Sequence, residues 1–109
     1  MLLIGQAGDR LDKDIEEMTR AACSMKPDLL MVCALPGYER GREPFAVPGV
    51  IREAALLAGF PADSMTLFTS PKDATKQALA QARHGDLLVL LALSQRQEIL
   101  VLVHEFLQN

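Results

Sequence analysis

Two eight-residue apolar runs constrain the fold of this chain more than any other feature of its sequence. They read DLLMVCAL at residues 28–35 and DLLVLLAL at residues 86–93. A run that is apolar at consecutive positions suits a strand with both faces covered, as in a parallel sheet, and we assign the first run to such a strand. The second run is predicted as a further strand of the same sheet.

Amphipathic segments separate the predicted strands. Apolar side chains recur at steps of four and three from Leu11 to Met25, which is typical of one helical stripe, and Asp9 or Asp12 is expected to cap this helix. A second helix is predicted to begin between residues 44 and 48 and to end at glycine 59. The expected inward residues of these two helices are Leu11, Ile15, Met18, Ala22 and Met25, then Val47, Val50, Ile51, Ala54, Leu57 and Ala58.

Two further helices follow in the second half of the chain. Ser70 is expected to cap the third helix, with Pro71 in its first position and Asp73 completing a capping box. Ser94 is expected to cap a last helix that runs to about residue 107. Together with short strands at residues 2–5 and 65–69, the order is βαβαβαβα.

This order predicts the fold class. Short right-handed crossovers give an α/β, Rossmann-like three-layer domain with a mainly parallel sheet, and a length of 109 residues allows one such domain, residues 1–109. In such folds ligands bind outside the carboxyl ends of the strands. We therefore look for function in the loops that follow the strands.

Composition excludes several classes of function. The net charge is −3, no basic tract is present and aromatic residues make up 5% of the chain, so we expect no nucleic-acid partner. No apolar run approaches the ~18 residues of a membrane span, and no secretory signal is present, so we expect no membrane partner. Cys23 and Cys33 form no CxxC motif, which favours buried thiols in the cytoplasm. The oligomeric state stays open, with a homo-oligomer as one option.

The loop after the first strand reads GQAGDRLDKD, residues 5–14. It lacks the three glycines of a dinucleotide fingerprint, and the chain contains no P-loop motif. Asp9, Asp12 and Asp14 oppose binding of a bare phosphate, whereas a carboxylate accepts hydrogen bonds from ribose hydroxyls or complements a cation. The alternative is that these acids only cap and stabilise the first helix.

The loop after the second strand reads PGYERGREP, residues 36–44, and places Arg40 and Arg42 around a glycine. Guanidinium groups bind carboxylate or phosphate in a bidentate manner. The alternative is a solvated loop whose surface ion pairs contribute little. No catalytic constellation and no metal-ligand spacing is legible, so we predict neither catalytic nor metal-binding residues in this chain.

Three motifs in order carry a family resemblance: GDRLDKDI at residues 8–15, RGREP at 40–44 and SPKDATKQALAQARHGDLLVLLAL at 70–93. Together they resemble the C-terminal domain of the Mur ligase superfamily, most nearly its cyanophycin synthetase branch. The resemblance covers nearly the whole chain. It departs from the family at Phe45 and Ala46, where a Gly-Glu pair is common, and it lacks the DNPR and GKGHE motifs of the peptidoglycan branch.

The resemblance implies a function. Members are ATP-dependent amide ligases that phosphorylate a carboxylate, which an amine then attacks, and their C-terminal domain closes over ATP and helps to hold the incoming amino acid. Carried over, Gly8, Asp9 and Arg10 would bind the nucleotide, with Asp9 near the ribose, and Arg40 and Arg42 would bind the amino-acid substrate. ATP and magnesium would be bound mainly by domains outside this chain. This chain alone would then be inactive. The alternative is a free-standing, non-enzymatic module that binds a nucleotide or a partner protein.

Overall fold

Four parallel strands form the centre of the computed structural model, which describes residues 1–91 and 93–108. The strands are β1 Leu2–Ile4, β2 Leu30–Cys33, β3 Met65–Phe68 and β4 Val89–Leu90. The strand order is β3-β2-β1-β4, so the chain adds strands on one side of β1 and then crosses to the other side. Alanine 92, within the predicted fourth strand, lies outside the described residues.

Four helices cover the sheet and confirm the predicted βαβαβαβα order. Helices α1 and α2 lie on one face, where their apolar side chains pack against β1 and β2, and α3 and α4 contact each other on the opposite face. The helices are α1 Asp12–Ser24, α2 Ala46–Leu57, α3 Pro71–Gln81 and α4 Arg96–Leu107, with a short 3-10 turn at Ala62–Ser64. The fold is therefore α/β, three-layered and Rossmann-like, as predicted.

Two apolar clusters lie on the two faces of the sheet. Alternation along each strand divides its side chains between them, because successive residues point to opposite faces. On the α1 and α2 side the cluster consists of Leu2, Ile4, Ile15, Ala22, Leu30, Val32, Val47, Ile51, Ala55 and Phe60. On the α3 side it consists of Leu3, Met31, Cys33, Ala74 and Ala78. Both central strands are therefore covered on both faces.

The start of α3 follows the prediction in most respects. The Ser70 hydroxyl accepts a hydrogen bond from the Asp73 backbone amide at 3.2 Å, and Pro71 occupies the first turn. The Asp73 carboxylate accepts instead from the Thr69 hydroxyl at 2.8 Å. The structure thus shows the predicted serine cap. The Asp73 side chain, which a capping box would bond to the Ser70 backbone amide, instead bonds the hydroxyl of the preceding Thr69.

The caps predicted for α1 and α4 are wrong. Leu11 occupies the N-cap of α1 and makes no side-chain cap. Gln95 is the N-cap of α4, in the left-handed region at φ 57°, and its side-chain oxygen accepts from the Lys72 amide at 2.9 Å. This bond ties the start of α4 to the start of α3, which places Ser94 in a buried position one residue before the cap.

Some residues predicted to face inward are exposed. Leu11 and Met25, at the two ends of the α1 stripe, are 68% and 65% exposed, and Leu57 at the end of α2 is 87% exposed. Each lies at the end of a helix or in its flanking cap position. Within the described residues, no helix has the length and apolar character that crossing a membrane requires.

Candidate functional site

A cleft of about 360 Å³ opens at the carboxyl ends of β1, β2 and β4. It lies where the strand order reverses at β1, which is the position where open α/β sheets bind ligands. The loops after three strands contribute its lining. The lining residues are Gln6, Ala7, Asp9, Arg10, Leu35, Tyr38, Arg40 and Leu93.

The two loops that form most of the cleft are packed directly against each other. We call residues 5–11, between β1 and α1, the first loop, and residues 34–45, between β2 and α2, the second loop. The Gly8 amide donates to the Tyr38 carbonyl oxygen at 2.9 Å. A Cβ atom at Gly8 would lie 1.8 Å from the Glu39 carbonyl oxygen, so only glycine fits here without moving a backbone.

Arg42 holds the same two loops together through its whole guanidinium group. Its Nε donates to the Gly8 carbonyl oxygen at 2.8 Å, and its Nη2 donates to the Arg10 carbonyl oxygen at 2.7 Å. Its Nη1 pairs with the Asp12 carboxylate at 2.6 Å. Arg42 therefore uses three of its five N–H donors within the protein, and Asp12 is occupied as its partner.

Arg40 is placed differently, although it is only two residues away. Its backbone lies in the left-handed region at φ 53°, and its guanidinium lies 5.0 Å from the centre of the Tyr38 ring. This distance is within the range of a cation–π contact. The left-handed backbone costs about 1 kcal/mol for a residue with a side chain. Arg40 lines the cleft, whereas Arg42 pairs with Asp12.

The structure brings Asp9, Arg10 and Arg40 together in the cleft. Their side chains form no hydrogen bond or ion pair with other described residues, so their polar groups face solvent and are free to meet a ligand. Guanidinium groups recognise carboxylates and phosphates, and a carboxylate accepts from hydroxyls. The arrangement is suited to a ligand that carries both an anionic group and hydroxyl groups.

Five lining residues were not selected from the sequence, namely Gln6, Ala7, Leu35, Tyr38 and Leu93. Gln6 bends back so that its side-chain oxygen accepts from the Ala7 amide at 2.9 Å. Tyr38 is the one tyrosine of the chain, and its ring supports Arg40. Leu93 follows β4, and the rule that ligands bind at the carboxyl ends of strands could have indicated it. No local motif distinguishes Gln6 or Tyr38.

The cysteines lie away from the cleft lining. Cys33 is buried in β2, and its thiol donates to the Ile4 carbonyl oxygen at 3.3 Å. Burial raises the pKa of the Cys33 thiol to about 12, against a smaller opposing effect of a backbone hydrogen bond, and burial also raises the pKa of Cys23. These shifts disfavour the reactive thiolate, so we assign both thiols to packing.

Among residues 1–91 and 93–108, no three His, Cys, Asp or Glu side chains converge as metal ligands. Asp12, the acid nearest the start of α1, is paired with Arg42.

Comparison with models of protein families, with curated proteins and with solved structures finds no match to this chain. The membership of the Mur ligase superfamily that the three motifs indicate therefore stays a prediction. The cleft geometry and the motifs themselves support the assignment of function below.

Proposed function

We propose that this chain is the C-terminal domain of an ATP-dependent amide ligase of the Mur type, most similar to cyanophycin synthetase. The observation that carries the proposal is that Asp9, Arg10 and Arg40, which come from the two loops of the resemblance, line one cleft at the reversal point of the sheet. In this role the domain closes over a nucleotide held by another domain and helps to bind the incoming amino acid.

The nucleotide is assigned to the first loop. Asp9 carries the carboxylate that lines the cleft, and a carboxylate accepts hydrogen bonds from two neighbouring ribose hydroxyls. Arg10, beside it, supplies a positive charge for the anionic side of the nucleotide. Gly8 supports both indirectly, because its contact with the second loop fixes the backbone from which they project.

The amino-acid substrate is assigned to Arg40. Its guanidinium lines the cleft and rests on the Tyr38 ring, which orients it while leaving its donors available to a carboxylate. Binding of the carboxylate by Arg40 leaves the α-amino group of the amino acid free to attack an acyl phosphate. The domain supplies binding and orientation in this scheme, and no residue of the chain takes part in bond making.

For Arg42 we propose a positioning role. Its three contacts join Gly8, Arg10 and Asp12 to the second loop, so that Asp9 and Arg40 face the same cleft. Substrate binding by Arg42, which the resemblance implies, would have to use its two remaining N–H donors or displace these partners. Substitution of Arg42 is therefore expected to weaken both ligand classes, whereas substitution of Arg40 affects the amino acid alone.

We also propose a cytoplasmic location. Cys23 and Cys33 are both free thiols, and Cys33 is shielded inside the sheet. ATP and amino acids, the proposed ligands, are abundant in that compartment. Cell fractionation with an antibody to the chain tests this, and recovery in the culture medium would contradict it.

The experiment that tests the function is a titration of the ¹⁵N-labelled chain, followed by NMR, with adenosine, ATP and a panel of amino acids. We expect shift changes confined to the cleft lining, with weak dissociation constants of about 1 mM or more, because the rest of the site lies in other domains. Asp9→Asn should weaken adenosine binding, and Arg40→Gln should weaken amino-acid binding. Arg52→Gln, on α2 and outside the cleft, is the control for loss of an arginine.

Three outcomes would count against the proposal. No response in the cleft at the highest ligand concentrations would remove the nucleotide and amino-acid assignments. Shift changes elsewhere on the surface would place the site wrongly. Micromolar binding by the isolated chain would favour the alternative of a free-standing binding module, since a site shared between domains should not bind so tightly alone.

A further inference from the structure

The cleft lining contains an apolar part that the proposed function does not yet use. Its three charged residues are assigned to the nucleotide and to the carboxylate of the amino acid, and the inference below rests on those assignments. The apolar part, which we call the apolar wall, consists of Ala7, Leu35 and Leu93.

The two leucines of the apolar wall stand on opposite sides of the carboxyl end of β1. Strand β1 lies between β2 and β4, and Leu35 and Leu93 follow those two neighbouring strands. Leu35 leans over the end of β1, since a Cβ atom added at Gly5 would lie 3.1 Å from its Cδ2 atom. The leucines therefore border the first loop from both sides.

The two leucines differ in how much of their surface meets water. Leu35 is 6% exposed and forms a fixed floor, whereas Leu93 is 46% exposed. An apolar group bound against Leu93 would remove part of this surface from water, which is favourable. Leu93 is thus the member of the wall that a ligand can cover.

The amide side chain beside the apolar wall is already engaged within the protein. The Gln6 side-chain oxygen accepts from the Ala7 amide at 2.9 Å, and its nitrogen lies 3.8 Å from the Met18 sulfur. Gln6 therefore has both ends of its amide occupied. A charged ligand group placed against the wall would lose water without gaining a partner there, which is costly.

The assigned substrates leave one group of the amino acid to meet the apolar wall. Asp9 and Arg10 are assigned to the nucleotide, and Arg40 is assigned to the amino-acid carboxylate. The α-amino group must stay free to attack the acyl phosphate. The side chain of the amino acid is the group that remains, and the wall is the part of the lining that remains for it.

We propose that the amino acid joined by this ligase has an aliphatic side chain, as in valine or leucine, and that Leu93 determines this preference. The preference has two sources. An aliphatic side chain covers Leu93, which glycine would leave in water, and a charged side chain is rejected because it would be desolvated without a partner.

An NMR titration of the ¹⁵N- and methyl-labelled chain tests the proposal with L-leucine, glycine, L-aspartate and L-lysine. AMP is present at about 20 mM, well above the expected dissociation constant of about 1 mM, so that Asp9 and Arg10 are occupied. We expect leucine to bind about 10-fold more tightly than glycine, aspartate or lysine. Its binding should shift the methyl signals of Leu35 and Leu93.

Variants of the exposed leucine test its role. Leu93→Asp should remove the preference for leucine and make lysine the tightest of the four ligands. Leu91→Asp is the matched control, because Leu91 is 50% exposed in the same run and lies outside the described cleft lining, so leucine should stay preferred. Leu93→Ala should reduce the preference about threefold, without favouring lysine. Circular dichroism checks that each variant is folded.

The outcomes separate this proposal from the assignment of the amino acid to Arg40. Equal binding of leucine and glycine, tighter binding of aspartate or lysine, or an unchanged preference in Leu93→Asp would each overturn the proposal. If Arg40→Gln still weakens amino-acid binding, those results leave the assignment to Arg40 intact. No response of the Arg40 signals to any of the four amino acids would remove that assignment, and the proposal with it.

Discussion

The two apolar runs of this chain have nearly the same sequence pattern and opposite surroundings. In the first, DLLMVCAL, every residue from Leu30 to Leu35 is buried, since β2 has a strand on each side and helices on both faces. In the second, DLLVLLAL, no described residue is buried, because β4 has one neighbouring strand and a helix layer on one face. A continuous apolar run thus indicates that both faces of a strand can be buried. It does not indicate which helices or strands pack against those faces.

The loops differ in the same way. On the β1 and β2 side, Gly8 and Arg42 lock two loops into one unit that forms the cleft. On the β4 side, Gln95 makes the single side-chain bond from the start of α4 to the start of α3. We therefore expect small substitutions in the inner half of the domain to lower the free energy of unfolding strongly. Similar substitutions in the outer half should lower it weakly, at concentrations where the chain is monomeric.

The largest expected difference comes from truncating a leucine in each run. Leu30→Ala removes a fully buried side chain from β2 and should lower the free energy of unfolding by about 3 kcal/mol. Leu87→Ala, in the exposed run, should change it by less than about 0.5 kcal/mol. Urea denaturation of dilute protein measures both values. Equal losses for the two variants would mean that β4 is buried as deeply as β2 in the isolated chain.

The next effect concerns the contact between the loops. Gly8→Ala forces its Cβ against the Glu39 carbonyl oxygen and should destabilise the fold by about 2 kcal/mol, with NMR shift changes in both loops. Gly49→Ala is the control, since it lies in α2 with open space around it and should be neutral or stabilising by up to about 1 kcal/mol. Gly8→Ala with unchanged stability and unshifted loop signals would contradict the close packing.

The smallest effect is a pH dependence that only the inner run should show. Burial raises the pKa of Cys33 to about 12 from 9.0, so below pH 9 the thiol is neutral in both the folded and the unfolded chain and no stability is lost. Above pH 9 the unfolded chain releases this proton first. Stability should therefore fall by about 1 kcal/mol between pH 8 and pH 10 from this group alone.

The contribution of Cys33 is isolated by comparing urea denaturation of the unmodified chain and Cys33→Ala across that pH range. The variant should lose less stability than the unmodified chain as the pH rises. Cys23→Ala, which removes the half-buried thiol of α1, should retain most of the slope. Identical slopes for the unmodified chain and Cys33→Ala would show that the Cys33 thiol titrates equally in both states.

Most of the architecture was predictable from local pattern. Helix periodicity, apolar runs and the Ser70-Pro71 start signal led to the correct element order, because these features depend on residues close together in the chain. The predictions were wrong where residues distant in the sequence determine a helix cap or the burial of a side chain. Gln95 rather than Ser94 is the N-cap of α4, and its side chain bonds the distant Lys72 amide, while Leu57, the last residue of α2, is exposed.

The candidate site was predictable in part. The motifs identified both loops, and the structure brings Asp9, Arg10 and Arg40 into one cleft. From the sequence, Arg40 and Arg42 were assigned the same role, since both flank the same glycine. The structure separates them, because Arg40 lines the cleft beside Tyr38, whereas Arg42 bonds to two carbonyl oxygens of the first loop and to the Asp12 carboxylate at the start of α1.

The sequence by itself therefore determined the kinds of element, their order and the loops that carry polar groups, since periodicity and turn chemistry act over a few residues. Only the tertiary structure decided that β4 is an edge, that Arg42 joins two loops and that Tyr38 supports Arg40. These outcomes depend on which segments meet across the sheet. Two similar apolar runs acquire different surroundings because the chain adds β2 and β3 on one side of β1 and β4 on the other, which places the second run outermost.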